Sequence, residues 1–258
     1  MKIGDPAATQ LPPVGFLQGR LSASSRGALQ AFPGDAWQDE FRRARSFGFD
    51  AIEWLLSAER ADENPIRQAD GRAGIRQVVA ETGIHVLSVC AGYFSQHRFF
   101  RVTVAEQSDS VAVLMALIGE ARAIGAATVR VPLFATSQIE GRHDLDELLA
   151  CLREPLALAR SVHVRIGLET GMPATENLDL IEKIHHESAG VYYATGHGAV
   201  RGDDIAVDIR RLGGCLCGVH VNHPKIDDHS VLFWRDRPDL LTFLEALSAV
   251  DYLGPVVL

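Results

Sequence analysis

Short apolar runs punctuate the chain at regular intervals. They are Val14-Gly-Phe-Leu-Gln18, Phe49-Asp-Ala-Ile-Glu53-Trp-Leu, Ile84 to Cys90, Ala127 to Pro132, Arg165-Ile-Gly-Leu-Glu169, Val191 to Ala194, Cys215 to His220 and Gly254 to Leu258. Their length and apolar content predict buried strands. Between them the apolar positions recur at helical spacing. Asp35 reads as the N-cap of a helix carrying Trp37, Phe41, Ala44 and Phe47, with Gly48 as its stop. Ile75, Val78, Val79 and Thr82 form the next stripe, ended by Gly83; Val111, Leu114, Leu117, Ile118, Ala121 and Ile124 form a third, ended by Gly125. Residues 143–163 read as a helix that Pro155 bends or splits. Thr175 caps a stripe of Leu178, Ile181 and Ile184, Gly213 stops one of Ile205, Ile209 and Leu212, and Pro238 opens one of Leu240, Leu241, Leu244 and Leu247.

Eight strands and seven helices in alternation dictate parallel pairing, because a parallel neighbour is reached only through a crossover. Eight such units close into a (β/α)8 TIM barrel of about 250 residues. With no linker or shift in composition, residues 1–258 form a single domain. The eighth helix is absent or truncated, which leaves the outer face of the last and first strands to be covered by a homo-oligomer partner or by chain running on past Leu258.

The residue content is ordinary for a globular protein, 47% hydrophobic and 22% charged. A formal net charge of −8 disfavours a nucleic-acid partner, since phosphate binding needs clustered Lys and Arg. Four cysteines without a CxxC pair read as reduced packing residues. No run is long and apolar enough for a membrane span and no leader pattern opens the chain, so the expected compartment is the cytoplasm.

Candidate chemistry concentrates in residues 165–223. Glu169, His197, His220 and His223 fall at the ends of the fifth, sixth and seventh strands, and a barrel of this kind builds its site at the C-terminal strand ends. Gln18 and Arg20 close the first strand, Glu53 lies late in the second and Arg130 lies in the fourth. The two arginines could hold a substrate hydroxyl, carboxylate or phosphate; ion pairs to Glu53 or Glu169 explain them equally well. No P-loop, dinucleotide fingerprint or nucleophile elbow is present.

Gln18-Gly-Arg20, Gln30-Ala-Phe-Pro33 with Trp37, Phe49-Asp-Ala-Ile-Glu53-Trp54 and Val89-Cys-Ala-Gly-Tyr-Phe94 resemble segments of the xylose isomerase-like barrels, the sugar (phosphate) isomerases and epimerases, with an endonuclease branch disfavoured here by the acidic charge. The resemblance runs along nearly the whole chain. It implies a divalent metal at the mouth, held by Glu, Asp, His and Glu from strands five to eight, with the two Glu residues acting as acid and base. Glu169 and His220 match two of these positions. Ala194 stands where the Asp is expected, and the chain reaches Leu258 where the last Glu would follow. His97 matches a histidine that often follows the family's C-A-D-Y-F segment. Its expected role, with those of Gln18, Arg20, Glu53 and Arg130, is substrate binding.

The resemblance therefore implies an isomerase or epimerase acting by proton transfer next to a carbonyl of a small sugar or polyhydroxylated compound, with Glu169 and His220 as the catalytic pair. A remodelled metal set of Glu169, His220, His197 and His223 would be rich in imidazole, which suits Zn, Fe, Co or Ni better than Mg; Mn is the further candidate. The alternatives are a catalytically inactive barrel that binds a ligand or partner protein, and a repurposed barrel performing another proton transfer such as dehydration.

Overall fold

The structure is a computed structural model that describes residues 11–22, 31–222 and 237–258. Eight parallel strands close on themselves in chain order: β1 Val14–Leu17, β2 Ala51–Leu55, β3 His85–Cys90, β4 Thr128–Leu133, β5 Arg165–Thr170, β6 Ala189–Ala194, β7 Leu216–His220 and β8 Val256–Val257. Closure is made by β1 on β8, with Val14 opposite Val256 and Gly15 opposite Val257. The helices of the described residues are α1 Trp37–Phe47, α2 Ala69–Thr82, α3 Val104–Ala123, α4 Arg142–Ser161, α5 Ala174–Ile184, α6 Thr195–Arg201, α7 Ile205–Leu212 and α8 Arg237–Ala249. None of these is long and apolar enough to cross a membrane.

The apolar core lies mainly between barrel and helices. One large cluster backs β1 to β5 and includes Phe41, Trp54, Val89, Leu117, Val131, Leu152 and Ile166. A second backs β6 to β8 with Val191, Ile209, Val219, Phe243 and Val256. Inside the barrel, Leu17, Leu55, Cys90 and Val257 form a small cluster of their own. The rest of the interior described below is polar.

Several local expectations are corrected. Asp35 lies in a 3-10 turn, Gly34–Ala36, and Ala36 occupies the N-cap of α1 without a side-chain cap. Phe47 points outward at 68% exposure, while Gly48 ends α1 in the left-handed region at φ 78°, as a C-terminal glycine should. Pro155 does not split α4, which runs unbroken for 20 residues. Leu148, Cys151 and Leu152 on one side of it and Leu156 and Ala159 on the other all pack into the core, and that burial outweighs the one backbone hydrogen bond proline cannot make. Pro173, not Thr175, stands at the N-cap of α5. Among the described side chains of α8, Phe243, Ala246 and Leu247 are buried, whereas Leu240 and Leu241 are exposed. Strand six runs straight into α6, an extra short helix, so His197 sits on a helix and not in a loop.

Candidate active site at the mouth of the barrel

The fifth residue of β5, Glu169, and the last of β7, His220, reach the C-terminal end of the barrel, while Glu53 and Arg130, third in β2 and β4, start one layer deeper. All four side chains are at most 3% exposed. A buried charge demands partners, and Arg130 supplies them for the whole group. Its Nη1 donates to His220 Nδ1 at 2.7 Å and lies 3.5 Å from Glu169 Oε2. Its Nη2 lies 2.9 Å from Glu53 Oε2 and donates to Cys90 Sγ at 2.9 Å. Ser88 Oγ donates to the other oxygen of Glu53 at 2.9 Å. Glu169 Oε1 and His220 Nδ1 are 3.7 Å apart.

The guanidinium also lies 5.1 Å from the centre of the Tyr192 ring, a cation–π contact between two buried groups. Two strand glycines make room for that ring. A Cβ on Gly218 would stand 2.1 Å from Tyr192 Cε2, and one on Gly167 would meet Cys217 Sγ at 2.7 Å and Tyr192 at 3.1 Å. Tyr192 is the residue that sequence reasoning missed. The available signal was the pair of glycines inside β5 and β7, since glycine in a strand interior marks a close approach.

The electrostatics follow from this packing. Burial alone would raise the Glu169 carboxyl, but the Arg130 charge, helped by His220 and His197, holds it down at about 2. Burial pushes His220 below its ordinary range, and Arg130 adds to the effect. His220 is therefore a neutral imidazole at neutral pH. Its short contact with a guanidinium N–H assigns Nδ1 as the acceptor, which leaves the ring proton on Nε2. Arg20 Nη2 stands 3.3 Å from that same Nε2. With that tautomer two N–H groups lie side by side, near enough for one acceptor to meet both.

The other sequence candidates separate into those near this group and those elsewhere. Arg20, exposed at the rim, joins it through His220. Gln18 is fully buried just past β1; its Oε1 accepts from Leu55 N–H at 3.1 Å, and its Nε2 has no partner among the described residues. His197 is half-buried on α6 with its ring 4.9 Å from that of Phe134, and burial lowers its pKa. His97 is exposed, stacks on Tyr93 at 3.9 Å and turns Nδ1 to the Tyr93 carbonyl at 3.2 Å; it makes none of these contacts with the Arg130 group. His223 lies outside the described residues. Cys217 packs beside Gly167 and Gly190, and all four cysteines are free thiols.

Residues 41–258 match the family described as xylose isomerase-like TIM barrel. The chain belongs to the xylose isomerase-like TIM barrel family. Within it, the sequence is similar to the L-ribulose-5-phosphate 3-epimerase UlaE of Salmonella paratyphi A, at 23% identity over 241 residues, spanning 87% of this chain and 82% of that protein. Among solved structures it superposes on the 3-keto-D-glucoside 4-epimerase YcjR of E. coli with a TM-score of 0.72 at 17% identity, covering 95% of this chain and 90% of that one. The D-psicose 3-epimerase of Clostridium cellulolyticum H10, solved with D-tagatose, gives 0.75 at 18% identity over 95% and 83% of the two chains.

This xylose isomerase-like barrel departs from the metal set its family resemblance implies. Ala194, paired with His220 in the β6–β7 ladder, carries no donor. Glu169, His197 and His220 do not come together as donors to one ion, and among the described residues no group of three His, Cys, Asp or Glu does. Among the described residues, Glu169 and His220 are the family-matched donors, and they already face a fixed cation in Arg130. A divalent ion beside that guanidinium would meet like charge in a medium that screens it poorly. The residues described do not fit a divalent metal.

Proposed function

We propose that this barrel is an enzyme of the sugar isomerase/epimerase kind, which moves a proton at a carbon next to the carbonyl of a small polyhydroxylated compound. One observation carries the reading: His220 Nε2 and the Arg20 guanidinium lie 3.3 Å apart at the mouth, close enough for one oxygen to meet both. An oxygen gaining negative charge would satisfy both donors at once, and an enediolate oxygen is such a group. Hydrogen bonds from both groups strengthen as charge gathers on that oxygen, so the stabilisation grows toward the enediolate, as catalysis requires. The Nε2 of Gln18, without a partner among the described residues, supplies a further donor for a substrate hydroxyl.

Glu169 is the carboxylate beside this oxygen site, 3.7 Å from the His220 ring, and its role is to take and return the carbon-bound proton. In the resting site Arg130 keeps it ionised and therefore ready. The relatives' printed activities, epimerisation of L-ribulose-5-phosphate and of D-psicose, are consistent with a ketose as substrate class.

The test is chromatographic separation of epimers after incubating the protein with a panel of ketopentoses and ketohexoses, free and phosphorylated. The expected outcome is interconversion of at least one epimer pair, reduced by about 10²–10⁴-fold in Glu169→Gln and by about 10²–10³-fold in Arg20→Met. Tight binding of a sugar without conversion would mark a ligand-binding barrel and overturn the proposal.

A further inference from the structure

We propose that the Arg130 guanidinium stands in for the divalent ion at the centre of the mouth, so that this member of a metal-binding barrel type works with an internal organic cation. The inference rests on the reading of Glu169 and His220 as the reacting site, but its test reads metal binding and ionisation, not turnover.

Three observations point the same way. First, Arg130 grows from β4 into the space shared by the side chains from β2, β5 and β7, and contacts Glu53, Glu169 and His220 together. A single positive centre touching two carboxylates and an imidazole is what a bound ion would be. Second, the carboxylate expected on β6 is Ala194. A guanidinium carries one positive charge where a divalent ion carries two, and Glu53 and Glu169 are already balanced by Arg130 together with Arg20 at the rim. A third carboxylate close to these two would add uncompensated negative charge in a buried site. Loss of the β6 carboxylate therefore matches the lower charge of the cation. Third, the cation is built in: the Tyr192 ring lies under it at 5.1 Å, and Gly167 and Gly218 are the positions that leave that ring its space. Arg130 is a positioning residue, since at 2% exposure it acts on substrate through the charge state it imposes on Glu169 and His220.

The decisive experiment is calorimetric titration of the whole protein, pretreated with chelator, with Mn2+, Co2+ and Zn2+ separately, in parallel with Glu169→Gln and His220→Ala. The expected result is that wild type shows no binding event that either substitution removes; any weak binding, for instance at exposed histidines, is the same in all three proteins. A stoichiometric site in wild type that disappears in both variants would overturn the inference. A second arm follows the His220 ring by NMR across pH in wild type and in Arg130→Met. Wild type is expected to keep His220 neutral below the ordinary histidine range, and the variant to titrate at higher pH, because one of the two guanidiniums facing the ring is gone while Glu169, Arg20 and the burial remain. An identical titration in the two proteins would contradict the role given to Arg130. Should Arg130→Met not fold, the wild-type metal titration still decides. Failure of every sugar to react, with no metal bound, would remove the proposed reaction while leaving the organic cation in place.

Discussion

At the scale of single residues, the account turns on charges that are buried because they satisfy each other. Glu169 is held at about 2 in the folded protein, against an ordinary value of 4.5. A depressed carboxylate adds stability above the unfolded value and loses it as pH falls through the folded one, so this contribution is complete above about pH 4.5 and gone near pH 2. Its size is on the order of 3 kcal/mol as an upper figure. His220, depressed as a buried base, works in the same direction from pH 6.5 downward, because the unfolded chain takes up the proton first. Denaturant unfolding of wild type at pH 5 and near pH 2.5 should therefore show a marked loss of stability on acidification, and Glu169→Gln a visibly flatter dependence across that window; equal slopes would mean that Glu169 is not ionised in the fold. At this scale the sequence exposed Glu169 and His220 clearly, since each follows an apolar run at a strand end. It left Arg130 undecided between substrate and ion pair, because a contact between residues 90 positions apart along the chain depends on barrel closure and not on local pattern.

At the scale of elements, the alternation of apolar runs and helical stripes carried the topology, and the misses have physical causes. α6 holds Gly196 and Gly198, poor helix formers, and reads as a loop. It forms because Asn222, two residues past the end of β7, grips its start: Asn222 Oδ1 accepts from Gly196 N–H at 2.7 Å, Thr195 Oγ1 accepts from Asn222 N–H at 3.1 Å, and the same hydroxyl donates to Asn222 O at 3.2 Å. Asn222→Ala should lower stability by about 1 kcal/mol and make the His197 resonances exchange-broadened; an unchanged His197 spectrum would contradict the tether. A larger effect belongs to β7. Gly218→Ala would drive a methyl into the fixed Tyr192 ring, and its expected cost is about 3 kcal/mol, read as a shift of the denaturation midpoint. A stability equal to wild type would show that Tyr192 does not fill that space. The capping box of α3, where Thr103 and Glu106 exchange hydrogen bonds, is a milder control: Thr103→Ala should cost about 1 kcal/mol without touching the mouth.

For the whole molecule, closure of eight strands removes every sheet edge and brings four distant segments to one point. The helices and their two apolar clusters stabilise the outside, which frees the interior of the mouth to hold charge. That division explains why fold was more legible than chemistry: periodicity reports the outer packing directly, whereas the interior is decided by which side chains meet after closure. The central claim is that Glu169, beside the His220–Arg20 oxygen site and held by Arg130, moves a proton next to a carbonyl without a divalent ion. Proton NMR in D2O of a ketose incubated with chelator-treated protein tests it most directly. The account predicts deuterium entering the carbon beside the carbonyl with wild type and no entry with Glu169→Gln. Exchange that appears only after a divalent metal is restored, or that persists undiminished in Glu169→Gln, would contradict it.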